Sequence, residues 1–195
     1  MKLLNKALVS LLLGSVMTMS AQAAVSYTNG QAYVGAKVGQ YDPEVDNDSA
    51  DNDATSYGIY AGYNLTPEFS VEAEYLGTTA EDAYNDAFEK LEYDASVFGL
   101  YGTYHYTFPN TGLYAKGRLG VAKHEVDFDY TDKEDSFFDE SFSISDTGIA
   151  GGLGLGYNIT PMVGVEAMYN MYPTIDVDGV DYDASGITLG AHVKF

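Results

Sequence analysis

The sequence predicts an all-β protein, an eight-stranded antiparallel up-and-down barrel that crosses a membrane with short turns at one rim and long acidic loops at the other. Three observations predict it. Apolar residues recur at every second position in about eight segments. The connections between those segments alternate strictly between short and long. One hairpin-like stretch is written twice, GYNLTPEFSVEAEY at 62–75 and GYNITPMVGVEAMY at 156–169.

Taken from the start, Lys2 and Lys6 precede an apolar run over 7–16 that ends in Ala21-Gln22-Ala23, a small-x-small pattern. This reads as a secretory signal peptide over 1–23, leaving 24–195 as one barrel domain. No later segment approaches the ~20 apolar residues that a spanning helix needs. The chain has no cysteine, so an oxidising exported compartment is tolerated without being exploited. Its net charge is −20, and losing Lys2 and Lys6 makes it more negative still, which excludes nucleic acid as a partner.

The period of two runs through 32–41, 57–64, 70–75, 96–108, 113–124, 147–157, 163–170 and 187–195, close to the ~9–11 residues of a tilted membrane-crossing strand. One face of these segments carries Val34, Ile59, Leu100, Leu119 and Leu153 and suits lipid, with tyrosines near the strand ends as an interface girdle. The other collects glycines, polar residues and charges and suits a crowded lumen. Short turns fall at 64–67, 107–112 and 158–161, and long polar loops at 42–55, 78–94, 125–145 and 173–185. Three short and four long connections join eight strands and leave both ends at the short-turn rim, the periplasmic side of an outer-membrane barrel. The repeated stretch is then one hairpin solution used twice: a girdle tyrosine, an Asn-x-Thr-Pro turn, and an outgoing strand whose glutamate enters the lumen.

Seven charged residues are expected to meet in that lumen: Lys37, Glu72, Glu74, Lys116, Arg118, Glu166 and Lys194. Buried charges are costly without partners, so they are expected to neutralise one another. His105 and His192 are placed in the lumen toward the periplasmic end and His124 near the outer end. No serine lies at a telling spacing from any of them, so no enzyme, cofactor or metal site is expected. The acidic run 46–53 lacks the glycine and closing glutamate of a calcium loop. Segment 80–91 reads as a short helix with Tyr84, Phe88 and Leu91 on one face, and the aromatics Phe128, Tyr130 and Phe142 read as loop residues packing together or presenting a binding surface.

Tyr33-Val34-Gly35-Ala36-Lys37-Val38-Gly39 resembles the first barrel strand of the outer membrane protein A family, and 114–120, ending Arg118-Leu119-Gly120, resembles its fifth. The two Thr-Pro turns match as well. The resemblance covers 24–195 against that family's N-terminal barrel and is closest to the stand-alone OmpA-like and OmpX-like small barrels, with no peptidoglycan-binding domain expected after Phe195. It implies lumen ion pairs that plug or gate a narrow passage, with Lys37, Glu72 and Arg118 at matching positions. It departs at Glu166, where a second arginine is expected, and at Gly156, where a second glutamate is expected.

Ile187, Leu189, Ala191, Val193 and the terminal Phe195 resemble the C-terminal assembly signal of such barrels, implying the barrel assembly machinery and periplasmic chaperones as biogenesis partners. The expected protein is a monomeric, non-enzymatic barrel in a Gram-negative outer membrane, in contact with its lipid and lipopolysaccharide, with a structural or surface-contact role through its external loops. The alternatives are a narrow porin-like channel for small solutes or ions and, behind it, an outer-membrane lipid-modifying enzyme relying on His124.

Overall fold

The computed structural model describes residues 30–45, 54–85, 89–132, 140–177 and 180–195. The expected signal peptide and the acidic run 46–53 lie outside the described residues. The strands are β1 (Ala32–Val45), β2 (Ala54–Asn64), β3 (Phe69–Thr78), β4 (Glu81–Asn85), β5 (Glu89–Thr107), β6 (Leu113–Asp132), β7 (Glu140–Asn158), β8 (Val163–Met171), β9 (Ile175–Val177) and β10 (Val180–Lys194). Eight of them run β1-β2-β3-β5-β6-β7-β8-β10 in antiparallel ladders, and β10 returns to β1 from Tyr33↔Lys194 to Val45↔Tyr182. That last ladder closes the sheet. In hydrocarbon no water can satisfy an unpaired strand edge, so closure is what lets these strands cross.

Alternation assigns each residue to a side. Ile59, Leu119, Leu153 and Leu189 are more than 60% exposed on the outer wall, while Lys37, Glu72, Glu74 and Arg118 are at most 7% exposed inside. Tyr63, Phe69, Tyr104, Tyr106 and Tyr157 ring the outer wall at the short-turn end, and Tyr57, Tyr75, Phe98 and Tyr169 ring it at the other. Two aromatic belts with aliphatic residues between them are the signature of a surface spanning a bilayer.

The twin turns explain the repeated sequence. In the first, Leu65 and Thr66 donate backbone N–H bonds to the Phe69 carbonyl at 2.9 and 3.0 Å, and the Thr66 hydroxyl accepts the Phe69 N–H at 2.9 Å. In the second, Ile159 and Thr160 donate to Val163 at 2.9 and 3.1 Å, and the Thr160 hydroxyl accepts the Val163 N–H at 3.0 Å. Threonine ties the turn to its outgoing strand, and the proline after it needs no N–H there. The third turn is one residue longer, and in it Asn110 takes φ 58°, a left-handed conformation that asparagine tolerates. The start of β1 and the residue after β10 meet at the same rim, where Ala32 and Phe195 exchange backbone hydrogen bonds at 3.2 and 2.9 Å.

Two expectations are corrected. Over its described residues segment 80–91 is strand rather than helix: Glu81–Asn85 pairs with the start of β5, Glu81 opposite Tyr93 and Asn85 opposite Lys90. A helix this short gains little without a packing face, whereas pairing extends a ladder already formed. The stretch 125–145 is strand over much of its length, because β6 and β7 continue past the membrane with Tyr130 still opposite Glu140. β5, β6 and β7 reach 19, 20 and 19 residues, about twice a membrane crossing, and stand above it as a sheet.

The outer wall supports a direct check. Leu119→Arg, between the two belts, is expected to lower folding stability in lipid vesicles by about 2–4 kcal/mol, and Ser143→Arg, above the belt, by less than about 1 kcal/mol. Urea titration read by heat-modifiable gel mobility measures both.

Candidate functional site: the filled lumen

The lumen is built in layers. At the level of the membrane, Lys37 and Arg118 both meet Glu74, Arg118 through both guanidinium Nη atoms. Arg118 also donates to Glu72 at 3.3 Å and, through Nη2, to Asn170 Oδ1 at 2.7 Å, and Asn170 passes a bond to Thr188 at 3.0 Å. Lys116 lies between two carboxylates, donating to Glu72 at 2.7 Å and to Glu166 at 3.1 Å. Tyr33 donates its hydroxyl to Glu72 at 2.9 Å and Tyr114 to Glu166 at 3.1 Å. The Arg118 guanidinium also stacks over the Tyr101 ring, 4.2 Å from its centre. Each charged group here is desolvated, so its opposite neighbours and hydroxyl donors replace water.

Six of the seven charged residues singled out from the sequence are thus joined through direct contacts. Lys194 stands nearer the short-turn rim, where it donates to Asn158 Oδ1 at 2.5 Å. His192 lies at that end too, 3.2 Å from the Tyr60 hydroxyl and 4.0 Å from Glu166, and His105 packs edge-on against Tyr114.

Tyrosine rings fill the space that glycines leave. A Cβ on Gly35 would overlap Tyr60, on Gly62 would overlap Tyr33, on Gly99 would overlap Tyr101, and on Gly156 would overlap Tyr114. The departures at Gly156 and Glu166 therefore belong together: the Tyr114 ring occupies the place over Gly156, and its hydroxyl reaches Glu166 on the next strand. Sequence reasoning assigned the tyrosines to the girdle and missed these four. Within their strands Tyr33 shares its parity with Lys37, Tyr60 with Gly58 and Gly62, Tyr101 with His105 and Tyr114 with Lys116, which was the available signal.

Above the charges lies an apolar layer of Tyr41, Leu76, Val97, Ala122, Tyr172 and Ile175. The chain between β8 and β9 turns into the mouth: Tyr172 stacks on Tyr41 at 5.8 Å, and both Tyr172 and Ile175 are buried. His124 locks this segment. The Pro173 carbonyl, 3.0 Å from its Nδ1, can only accept, so Nδ1 donates, and the neutral ring's Nε2 accepts from the Tyr41 hydroxyl at 2.7 Å. Both ring nitrogens of His124 are committed to structure, and no serine is among these partners. Among the described residues no group of three or more His, Asp or Glu side chains is arranged to hold a metal.

The family model for the outer membrane protein beta-barrel domain matches residues 9–195. The chain belongs to that family. Its place is the cell outer membrane. Solved structures of similar fold include Ail, the attachment invasion locus protein of Yersinia pestis, in complex with the heparin analogue sucrose octasulfate, at 19% identity and a TM-score of 0.62, covering 86% of this chain and 100% of that one. Neisserial surface protein A is similar at 18% identity and 0.59, with 86% and 100% covered. The N-terminal barrel of Pseudomonas aeruginosa OprF is similar at 18% and 0.56, with 87% and 100% covered. No curated protein matches closely enough to count as a relative. At these identities the likeness is one of fold, an eight-stranded small barrel of the OmpA-like and OmpX-like type.

Breaking the network by one partner leaves an uncompensated buried charge. Glu72→Gln, which strips a carboxylate from both Lys116 and Arg118, is expected to cost about 3–5 kcal/mol of folding stability. Lys37→Met is expected to cost clearly less, since Glu74 keeps both contacts from Arg118. Equal losses from the two variants, in the same urea titration, would contradict this arrangement.

Proposed function

We propose that this protein is a closed, non-catalytic outer-membrane barrel that serves the envelope as a structural element and makes its contacts through the sheet above the membrane. The observation that carries this reading is the lumen, occupied in succession by His192 and His105, the ion-pair layer and the Tyr41–Tyr172 plug. An eight-stranded barrel has an interior that side chains can fill, and this one fills it. Lipid and lipopolysaccharide are the proposed surroundings of its outer wall, and the exposed Ile187, Leu189, Ala191, Val193 and Phe195 are proposed as the signal for the assembly machinery. A single copy suffices for this role, because the closed ladder leaves no membrane-embedded edge for a second.

A lipid-modifying enzyme is disfavoured by His124, whose nitrogens serve Tyr41 and Pro173 rather than a nucleophile. A polyanion of the kind bound to Ail in its crystals is disfavoured by charge, since the outward face of the protruding sheet is acidic.

In planar bilayers, the folded barrel is expected to give no discrete channel steps across the physiological salt range. Reproducible steps whose size changes in Glu72→Gln would replace this reading with that of a narrow pore gated by the lumen charges.

A further inference from the structure

Glycine in a strand interior weakens the strand and marks a place where another group must come close. Over Gly35, Gly62, Gly99 and Gly156 that group is a tyrosine ring. Gly102 on β5 and Gly117 on β6 share parity with Leu100 and Leu119 instead, so they face lipid. A Cβ on Gly102 would meet nothing nearer than the Leu119 carbonyl at 3.8 Å, and one on Gly117 nothing nearer than Leu153 Cδ2 at 3.4 Å. Among the described residues, then, no neighbour crowds these two positions into being small.

The two glycines lie side by side. Gly102 stands opposite Val71 on β3 and Leu119 on β6, and Gly117 opposite Tyr104 on β5 and Leu153 on β7. Their missing side chains leave a groove of about 600 Å³ in the outer wall, with glycine backbone as its floor and these four residues as its sides. Phe69 and Tyr104, tilted rings 5.1 Å apart, flank it toward the short-turn rim, so it lies in the half of the wall nearest the periplasm. It reaches Leu65 in the first short turn. Three residues on, the exposed Glu68 carboxylate accepts the Thr66 hydroxyl at 3.2 Å, and the two turns beside the groove, 64–69 and 105–112, contain no lysine or arginine. An apolar slot ending beside a carboxylate fits an amphiphile with one hydrocarbon chain to bury and a cationic head.

We propose that this groove holds one acyl chain of a phospholipid of the phosphatidylethanolamine type from the periplasmic leaflet, with its ammonium head at Glu68. This rests on the reading of lipid as the surroundings of the outer wall and names one molecule among them. No hydrophobic force draws a chain out of lipid onto an apolar wall, so selection comes from packing and from the head. On a smooth wall a chain touches protein along one side. In the groove it touches floor and both sides, which multiplies contacts that are individually small. At the rim the ammonium gives Glu68 a charge-assisted hydrogen bond, which an anionic head would replace with repulsion. A second barrel is the poorer occupant, because a closed convex wall would reach into the slot at one point only.

The test places the folded barrel in nanodiscs of equal parts phosphatidylethanolamine, phosphatidylglycerol and phosphatidylcholine with the same acyl chains. Native mass spectrometry after gentle detergent release then counts the phospholipid carried along. A single retained phospholipid per barrel is expected, with phosphatidylethanolamine enriched about threefold over each of the others, the worth of one exposed ion pair. Phosphatidylcholine serves as the cationic head without an N–H to donate. Gly102→Leu with Gly117→Leu fills the groove from positions that accept a Cβ and is expected to lower retention about tenfold. Ala36→Leu, exposed on β1 across the barrel from β6, is expected to leave retention unchanged. Glu68→Gln is expected to keep the lipid and lose the preference for the ammonium head. Equal retention by the filled and unfilled barrels overturns the proposal, and so does a preference that survives Glu68→Gln. A barrel dimer in sedimentation that the filled groove abolishes, with no lipid retained, overturns it in favour of a second copy. Should the filled variant lack heat-modifiable mobility, the Glu68→Gln comparison decides alone. A folded barrel that retains no phospholipid defeats this site only, whereas failure of the unaltered barrel to fold into vesicles of these lipids defeats the reading of its outer wall, and conduction defeats the closed-barrel reading.

Discussion

Backbone hydrogen bonding in hydrocarbon is the constraint on which the structure depends. A strand in lipid must hand every N–H and C=O to a neighbour, and eight strands meet that demand only if the last returns to the first. The β1–β10 ladder does so from Tyr33↔Lys194 to Val45↔Tyr182, and the bonds between Ala32 and Phe195 at the rim follow from it. Once closure is imposed, alternation does the rest, with every second residue meeting lipid and the others turning inward.

Inward residues then face a second constraint, since a narrow lumen lined by charge has little water to solvate it. The solution is mutual satisfaction. Glu72, Glu74 and Glu166 are shared among Lys37, Lys116 and Arg118, and tyrosine hydroxyls take remaining acceptor capacity. Aromatic bulk over glycine supplies the packing that a soluble core obtains from aliphatic side chains. The Tyr41–His124–Pro173 contacts close over the same network.

The alternation in 32–41, 113–124 and 187–195 was legible because lipid demands an apolar residue at every second position, and that demand gave strand number, facing and the side on which the ends lie. Legibility failed where the solvent changed. In Glu125-Val126-Asp127-Phe128-Asp129-Tyr130 the period of two persists, but the outward position is now acidic and the inward one apolar, the reverse of the pattern a few residues below. Read against the membrane rule it looked like an aromatic loop; against a soluble sheet it is a strand. Segment 80–91 failed differently, since its helical spacing was too short to outweigh pairing with β5. In the lumen, which charges would meet followed from parity, whereas the joining of Tyr114 to both Gly156 and Glu166 depended on cross-strand register, which the sequence does not carry.

Among the described strands the ladder is complete within the membrane and open along one side of β7 above it. Residue-by-residue amide exchange of β7 in lipid nanodiscs tests this most directly. The register requires Leu153 and Leu155, bonded toward β8, and Phe142 and Ile144, bonded toward β6, to be protected while Ser143 and Ser145 exchange freely. Protection of Ser143 and Ser145 equal to that of their neighbours would mean that another part of the chain already covers the edge, and would contradict the account at its centre.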